Sequence, residues 1–182
     1  PTINSNQSGT YGDNVTITGT NFINSSSVTL GGKDCLLIDL DTSNGLSFIC
    51  KLPYFSTSGV KTLRVTNGNV FSEAGYTYNN PIPIINNVSS STGKIGDTIT
   101  IAGTNFFTGV TLVTLGDINC TNISVDINGT NITCKVPYIS NTGTKILNVT
   151  NGDKSASSNS YNYTTPTPTI TSAGQGYSSG QT

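Results

Sequence analysis

Short runs in which apolar and polar residues alternate recur along the whole chain, separated by clusters of Gly, Pro, Asn and Ser. Val15 and Ile17 alternate with Asn14, Thr16 and Thr18, and Ile99 and Ile101 alternate with Thr98 and Thr100. A period of two puts successive side chains on opposite faces of an extended strand, so each run predicts a strand with one buried and one wet face. Leu63 and Val65 point inward in a later run, matched by Leu147 and Val149, which turns Arg64 and Asn148 outward. Asn67-Gly68 and Asn151-Gly152 fall between strands, and Asn-Gly supplies the positive φ values of a tight hairpin. The strand after each carries Tyr76 and Tyr78, or Tyr161 and Tyr163, on one face. No segment shows a helical period. About seven short strands in roughly 80 residues predict a β-sandwich.

The pattern occurs twice. "GDNVTITGTNF" from Gly12 returns as "GDTITIAGTNF" from Gly96, and Cys50-Lys51-Leu52-Pro53-Tyr54 returns as Cys134-Lys135-Val136-Pro137-Tyr138. Val65-Thr66-Asn67-Gly68 likewise returns as Val149-Thr150-Asn151-Gly152. Order is kept and spacing drifts little, which marks tandem copies of one unit. The reading is a first module over 1–80, a second over 81–165, and a linker with the first strand of a truncated third module over 166–182. The tail Pro168 to Thr182 should therefore need support from a neighbouring edge if it is ordered. The proline-bearing joints Asn79-Asn80-Pro81-Ile82-Pro83 and Thr164-Thr165-Pro166-Thr167-Pro168 predict semi-rigid spacers. Within "GTNF", Gly19 and Gly103 are expected where the backbone turns sharply, with Phe22 and Phe106 plugging the core.

Charge is scarce: 9% of residues are charged and the net charge is −1. No basic surface for nucleic acid or an anionic membrane is encoded, and no apolar run approaches the ~20 residues of a membrane span. A membrane anchor, if the parent protein has one, lies outside this segment. Asn, Ser, Thr and Gly take the place of charge, and Asn-x-Ser/Thr acceptors occur at Asn6, Asn14, Asn24, Asn87, Asn119, Asn122, Asn128, Asn131, Asn148 and Asn162. Together with the cysteines they point to a glycan-covered, secreted protein, with Asn148 and at least one of Asn122, Asn128 and Asn131 modified. Cys35 with Cys50, and Cys120 with Cys134, hold matched positions and are expected to form one disulfide per module. Two thiols per module and no histidine anywhere make a poor metal site. Such bridges imply an oxidising, extracellular compartment.

Catalytic chemistry has little to work with. There is no histidine and a single glutamate, Glu73, so the many hydroxyls lack a base. Asp39 and Asp41 are the one close carboxylate pair, and Ser124 and Asp126 fall near there in the second module, so a solvated strand face is the simpler reading. No enzyme activity and no cofactor are expected.

The phrases ending in "GTNF", then a cysteine, then "FICKLPY" or "ITCKVPY", then "LxVTNG" resemble the IPT/TIG domain. The resemblance covers nearly the whole chain and implies an all-β fold of tandem immunoglobulin-like sandwiches of the E-set type. The Asn/Thr/Ser-rich flavour is similar to the tiger family of social amoebae, whose IPT ectodomains mediate cell adhesion and self-recognition. IPT domains also occur in Rel-type transcription factors that touch DNA. Eight Lys and Arg against nine acids, with paired cysteines, argue against that branch.

The expected function is an extracellular adhesion or recognition ectodomain with a protein partner, including self-association. The alternatives are a structural repeat of an extracellular fibre or stalk, and a carbohydrate-binding module using Tyr54 and Tyr138 as stacking faces. Between its cysteines the second module carries Asn122, Asn128 and Asn131, whereas Leu36 to Ile49 of the first carries no acceptor. Leu37, Asp39, Asp41, Asn44 and Leu46 are therefore the expected partner contacts, because glycans block close approach on the face that bears them.

Overall fold

The computed structural model describes residues 1–4, 7–40 and 45–171 and contains no helix among them. None of the described residues therefore forms a helix long and apolar enough to cross a membrane. Two β-sandwiches follow one another, each with its own core. In module one the strands are β1 (Thr2–Ile3), β2 (Gln7–Thr10), β3 (Asn14–Thr20), β4 (Ser27–Leu30), β5 (Lys33–Asp34), β6 (Leu36–Leu40), β7 (Ser47–Lys51), β8 (Gly59–Asn67) and β9 (Val70–Asn79). Sheet β1-β3-β7-β6 faces sheet β2-β9-β8-β4-β5. Module two repeats this with β10 (Ile84–Val88), β11 (Thr92–Gly93), β12 (Thr98–Thr104), β13 (Leu112–Leu115), β14 (Ile118–Asn119), β15 (Thr121–Val125), β16 (Asn131–Lys135), β17 (Gly143–Asn151) and β18 (Lys154–Tyr163). Its sheets are β10-β12-β16-β15 and β11-β18-β17-β13-β14.

The alternating runs become strands with one face in the core. Ile17, Leu63, Val65, Tyr76 and Tyr78 are at most 1% exposed, as are Ile99, Ile101, Leu147, Val149 and Tyr163. The first segment of each module serves both sheets. β1 pairs antiparallel with β3, and β2 then crosses to pair parallel with β9; β10 and β11 do the same against β12 and β18. That crossover closes the sandwich along one side.

The repeated "GTNF" has a different physical basis from the sharp glycine turn expected. Gly19 and Gly103 lie inside β3 and β12, and neither has a positive φ. A Cβ on Gly19 would run into the Thr2 carbonyl oxygen and the Phe22 ring; on Gly103 it would meet the Ile84 carbonyl and Phe106. The glycine is required because the first strand and the Phe ring close over it. The turn is made by the asparagine, Asn21 at φ 59° and Asn105 at φ 62°. Asn tolerates this left-handed conformation better than most residues. The Asn67 and Asn151 amides then donate to the carbonyls of Asn21 and Asn105, at 2.7 Å in each case.

The hairpins also shift by one residue. Asn67 pairs with Val70 and Asn151 with Lys154, so the two-residue loops are Gly68-Asn69 and Gly152-Asp153. Glycine supplies the positive φ, 58° and 59°, while the preceding asparagine serves through its side chain.

Cys35, just before β6, and Cys50 on β7 form a disulfide spanning 15 residues. Cys120 and Cys134 meet at the same place in module two as two buried thiols with no bond between them. The expected second bridge is absent here. The register Thr121↔Lys135 repeats Leu36↔Lys51, so the strands bring both pairs together alike. What differs is an oxidation state, which packing does not dictate. The two thiols share a hydrogen bond that pulls Cys120 down and, with burial, pushes Cys134 up.

Residues 164–171 after β18 are exposed and form no strand. The rest of the expected third-module strand lies outside the described residues.

Candidate functional site

Of the expected partner contacts, Leu37 and Asp39 lie on β6, an edge strand of the four-stranded sheet, and Leu46 just precedes β7. Leu36 is 66% exposed, Ile38 49% and Leu46 47%, while Leu37 and Asp39 also face solvent. A bulge between Leu37 and Asp39 breaks the alternation, which is why three neighbouring apolar residues turn outward together. Phe48, from the same inter-cysteine segment, is 1% exposed and belongs to the core. Asp41 and Asn44 lie outside the described residues. Asp39 stands exposed on β6, and no cluster of three metal-ligating side chains occurs among the described residues.

The equivalent edge strand β15 is built the opposite way. Ile123 and Val125 turn inward against the module-two core, and Thr121, Asn122 and Ser124 face out. Asn122 takes φ 51° at the bulge. The following loop is locked by Asp126, which accepts from the Thr130 and Asn131 backbone amides at 2.7 and 3.0 Å. It also accepts from the Thr130 hydroxyl and the Asn131 side chain. The donors from Asn131 and then Thr130 hold the Asp126 carboxyl well below the usual carboxylate range.

The acceptor asparagines are mostly accessible. Asn14, Asn24, Asn87, Asn119, Asn122, Asn128, Asn131 and Asn162 are exposed, and Asn148 is half-buried on the outer face of β17. Asn6 lies outside the described residues. Asn148 accepts from the Ser157 hydroxyl at 2.6 Å, and the Asn131 amide is engaged by Asp126. Asn128 stands at the exposed tip of the Asp126 loop. Tyr138 is 64% exposed, whereas Tyr54 is half-buried against Tyr11, ring centroids 5.5 Å apart.

The joint between modules carries a network that the repeat comparison did not single out. Asp153, at the tip of the β17–β18 hairpin, accepts from the Ser58 amide at 3.0 Å, the Ser58 hydroxyl at 2.9 Å and the Asn80 amide at 2.8 Å. Asn80 is 3% exposed and in turn accepts from the Tyr78 hydroxyl. Asn151 donates to the Pro81 carbonyl, and Asn105 to that of Ile82, so the linker backbone is held from module two. On the other flank Tyr11 meets Phe107 edge-on at 5.1 Å. A signal was present at the hairpin tip, where Asn69 of one copy is replaced by the acidic Asp153 in the other.

Desolvation alone would raise the Asp153 pKa, but donors from Asn80 and Ser58, with Lys154 nearby, outweigh it and hold the group at about 2 against an ordinary 3.8. A depressed folded value means that the joint is fully supported above about pH 4 and loses this support as pH falls through 2. Asp153→Ala should loosen the joint at neutral pH by leaving the side-chain N–H donor of buried Asn80 unpaired, a cost of about 1–3 kcal/mol. Residual dipolar couplings should then show the two modules tumbling independently, whereas one shared alignment tensor would contradict this account of the joint.

The fold is two immunoglobulin-like sandwiches in tandem. The IPT/TIG domain model matches residues 1–81 and again 83–165, and the chain belongs to that family. No match is found among curated proteins. Among solved structures the chain is similar to an SGBP-B from a xyloglucan utilization locus of Bacteroides uniformis, at 19% identity and TM-score 0.42, over 83% of this chain and 45% of that one. It is also similar to a mixed-linkage glucan SGBP-B of Bacteroides ovatus, at 15% identity and TM-score 0.38, over 91% and 45%. A titin I9–I11 tandem aligns at 11% identity and TM-score 0.44, over 91% and 66%. The chain thus spans less than half the length of either bacterial protein, and the likeness is one of fold.

Proposed function

We propose that this chain is a non-catalytic recognition segment of an extracellular protein, in which module one self-associates through β6 while module two is a glycan-shielded spacer. The observation that carries the reading is the contrast between two equivalent edge strands. β6 exposes Leu36, Leu37 and Ile38, and β15 exposes Thr121, Asn122 and Ser124. An edge strand offers one unpaired row of backbone donors and acceptors, and another strand satisfies it by extending the sheet. The partner is a second copy of the chain. Leu36-Leu37-Ile38-Asp39-Leu40 laid antiparallel on itself is largely apolar, and a two-fold contact requires such self-complementarity. This is the adhesive, self-recognising role that the resemblance to the tiger family implies.

The joint network favours a second reading, a structural repeat of a fibre or stalk, because a locked joint sets reach and direction. The readings separate by stoichiometry: β6 pairing ends at dimers, and fibre contacts continue end to end. Beads carrying the two-module protein should aggregate, and Leu37→Lys should reduce this about ten-fold or more by placing a charge in the strand contact. Thr121→Lys, at the equivalent edge of module two, should leave aggregation unchanged. Wild-type beads that stay dispersed, or equal effects of both substitutions, would remove the β6 reading.

The extracellular part of the proposal makes Cys120 and Cys134 a second disulfide closed by oxidation on secretion. Non-reducing peptide mapping of secreted protein should join Cys35 to Cys50 and Cys120 to Cys134. Two unoxidised thiols in module two would count against an oxidising compartment.

A further inference from the structure

Module two has a cleft of about 300 Å³ on its closing side, between β10 and the β17–β18 pair. That volume is at the lower end of small-molecule sites, roughly 300–1,000 Å³. Ile85 and Val88 pack on the core beneath the cleft, and Leu147 and Tyr161, 1% and 2% exposed, close its base, so the surface open to a ligand is mainly polar. Its rim is hydroxylic, from Ser90, Ser91, Ser157 and Ser158. The Ser90 hydroxyl donates to the Thr92 carbonyl and accepts from the Thr92 amide, and that of Ser157 donates to Asn148, so each meets a ligand only through a remaining lone pair. The Tyr161 hydroxyl is buried without a hydrogen-bond partner.

Comparison with module one shows why space opens here. Gln7 stands on β2 opposite Tyr76, where β11 leads in with Ser91 in module two. The Gln7 side chain reaches Thr18 of β3, Nε2 to Oγ1 at 3.5 Å. The matching pair in module two is Ser91 and Ala102, both smaller. Tyr76 shares the unpartnered buried hydroxyl of Tyr161, so the tyrosine is common to the fold and the lost plug is what distinguishes module two.

A mainly polar cleft rimmed by serine hydroxyls matches the hydroxyl-bearing edge of a pyranose. Asn87 is itself exposed, lines this cleft, and opens the acceptor triplet Asn87-Val88-Ser89. We propose that the cleft is a saccharide seat, and that its occupant is the first sugar ring of an N-linked glycan carried by Asn87. Tethering gives the ring a high local concentration, so a shallow cleft suffices. The sugar seals the gap between the two sheets that Gln7 spans in module one. The inference rests on the glycosylated, secreted reading above, and is tested separately from it.

The experiment uses the whole chain secreted from a glycosylating host. Site-resolved mass spectrometry follows release of each glycan by peptide:N-glycosidase from the native protein. Asn87 should be released roughly ten-fold or more slowly than exposed Asn162, since a seated ring denies the enzyme its bond. Ser91→Gln with Ala102→Thr restores the module-one plug and should bring the Asn87 rate up to that of Asn162. Equal rates in the wild-type protein overturn the proposal whether or not the plugged variant folds. If Asn87 is bare while other sites are occupied, the glycoprotein reading stands and Asn87 is not the source. Titrating that protein with N-acetylglucosamine and chitobiose then decides the seat. Amide shifts confined to Leu147, Ser157 and Tyr161 support a saccharide seat filled from outside, and none overturns it.

Discussion

Gly103→Ala is expected to destabilise module two by about 3 kcal/mol, lowering its urea midpoint, and to leave module one unchanged. The new methyl group is directed at the Ile84 carbonyl oxygen and the Phe106 ring. A flexible side chain would yield, but a backbone carbonyl paired in a strand cannot move without breaking β10 from β12, where Ile85 opposes Gly103. Overpacking of this kind costs about 3 kcal/mol, a large share of what an 80-residue sandwich has, at roughly 0.05–0.15 kcal/mol per residue. The cores are separate, so the loss stays local. Urea unfolding followed by hydrogen exchange should show module-two amides exchanging at low denaturant while module-one amides remain protected. Gly109→Ala is the control, because a Cβ there meets nothing within 4 Å and only its φ of 73° is strained. If Gly103→Ala melts like the wild-type protein, the close-approach account of "GTNF" is wrong.

The period-two runs made the strands legible because burial on one face leaves a direct trace in sequence. Ile17, Ile101, Leu63 and Leu147 lie in the core as the alternation requires. The repeats made the tandem architecture legible, since each copy must solve the same packing problem. The role of the glycine in "GTNF" was not legible. A glycine that accommodates a neighbouring carbonyl reads the same as one that turns the chain, and only the pairing of β1 on β3 tells them apart.

The edge strand was half legible. The absence of acceptor triplets between Cys35 and Cys50 marked the segment, but alternation alone would have buried every second residue of Leu36-Leu37-Ile38. The bulge that turns all three outward depends on register, which is a tertiary property. The joint was the least legible part. Asp153, Ser58 and Asn80 are far apart in sequence and belong to different copies, and their meeting depends on how one sandwich follows the other.

Carrying the module-two acceptor across to module one tests the central claim most directly. Leu37 and Asp39 occupy the register positions of Asn122 and Ser124, because Leu36 and Thr121 pair with equivalent lysines. Leu37→Asn with Asp39→Ser therefore reproduces the Asn122-Ile123-Ser124 triplet on β6, at side chains that already face solvent. Leu37→Asn alone gives no acceptor and serves as the control. The measurement is self-association of the secreted double variant, by sedimentation and bead aggregation, with site occupancy confirmed by mass spectrometry. The account predicts a folded, glycosylated protein whose self-association is abolished, while the single variant weakens it far less. A folded double variant that carries the glycan at this position and associates as tightly as the wild-type protein would contradict the account.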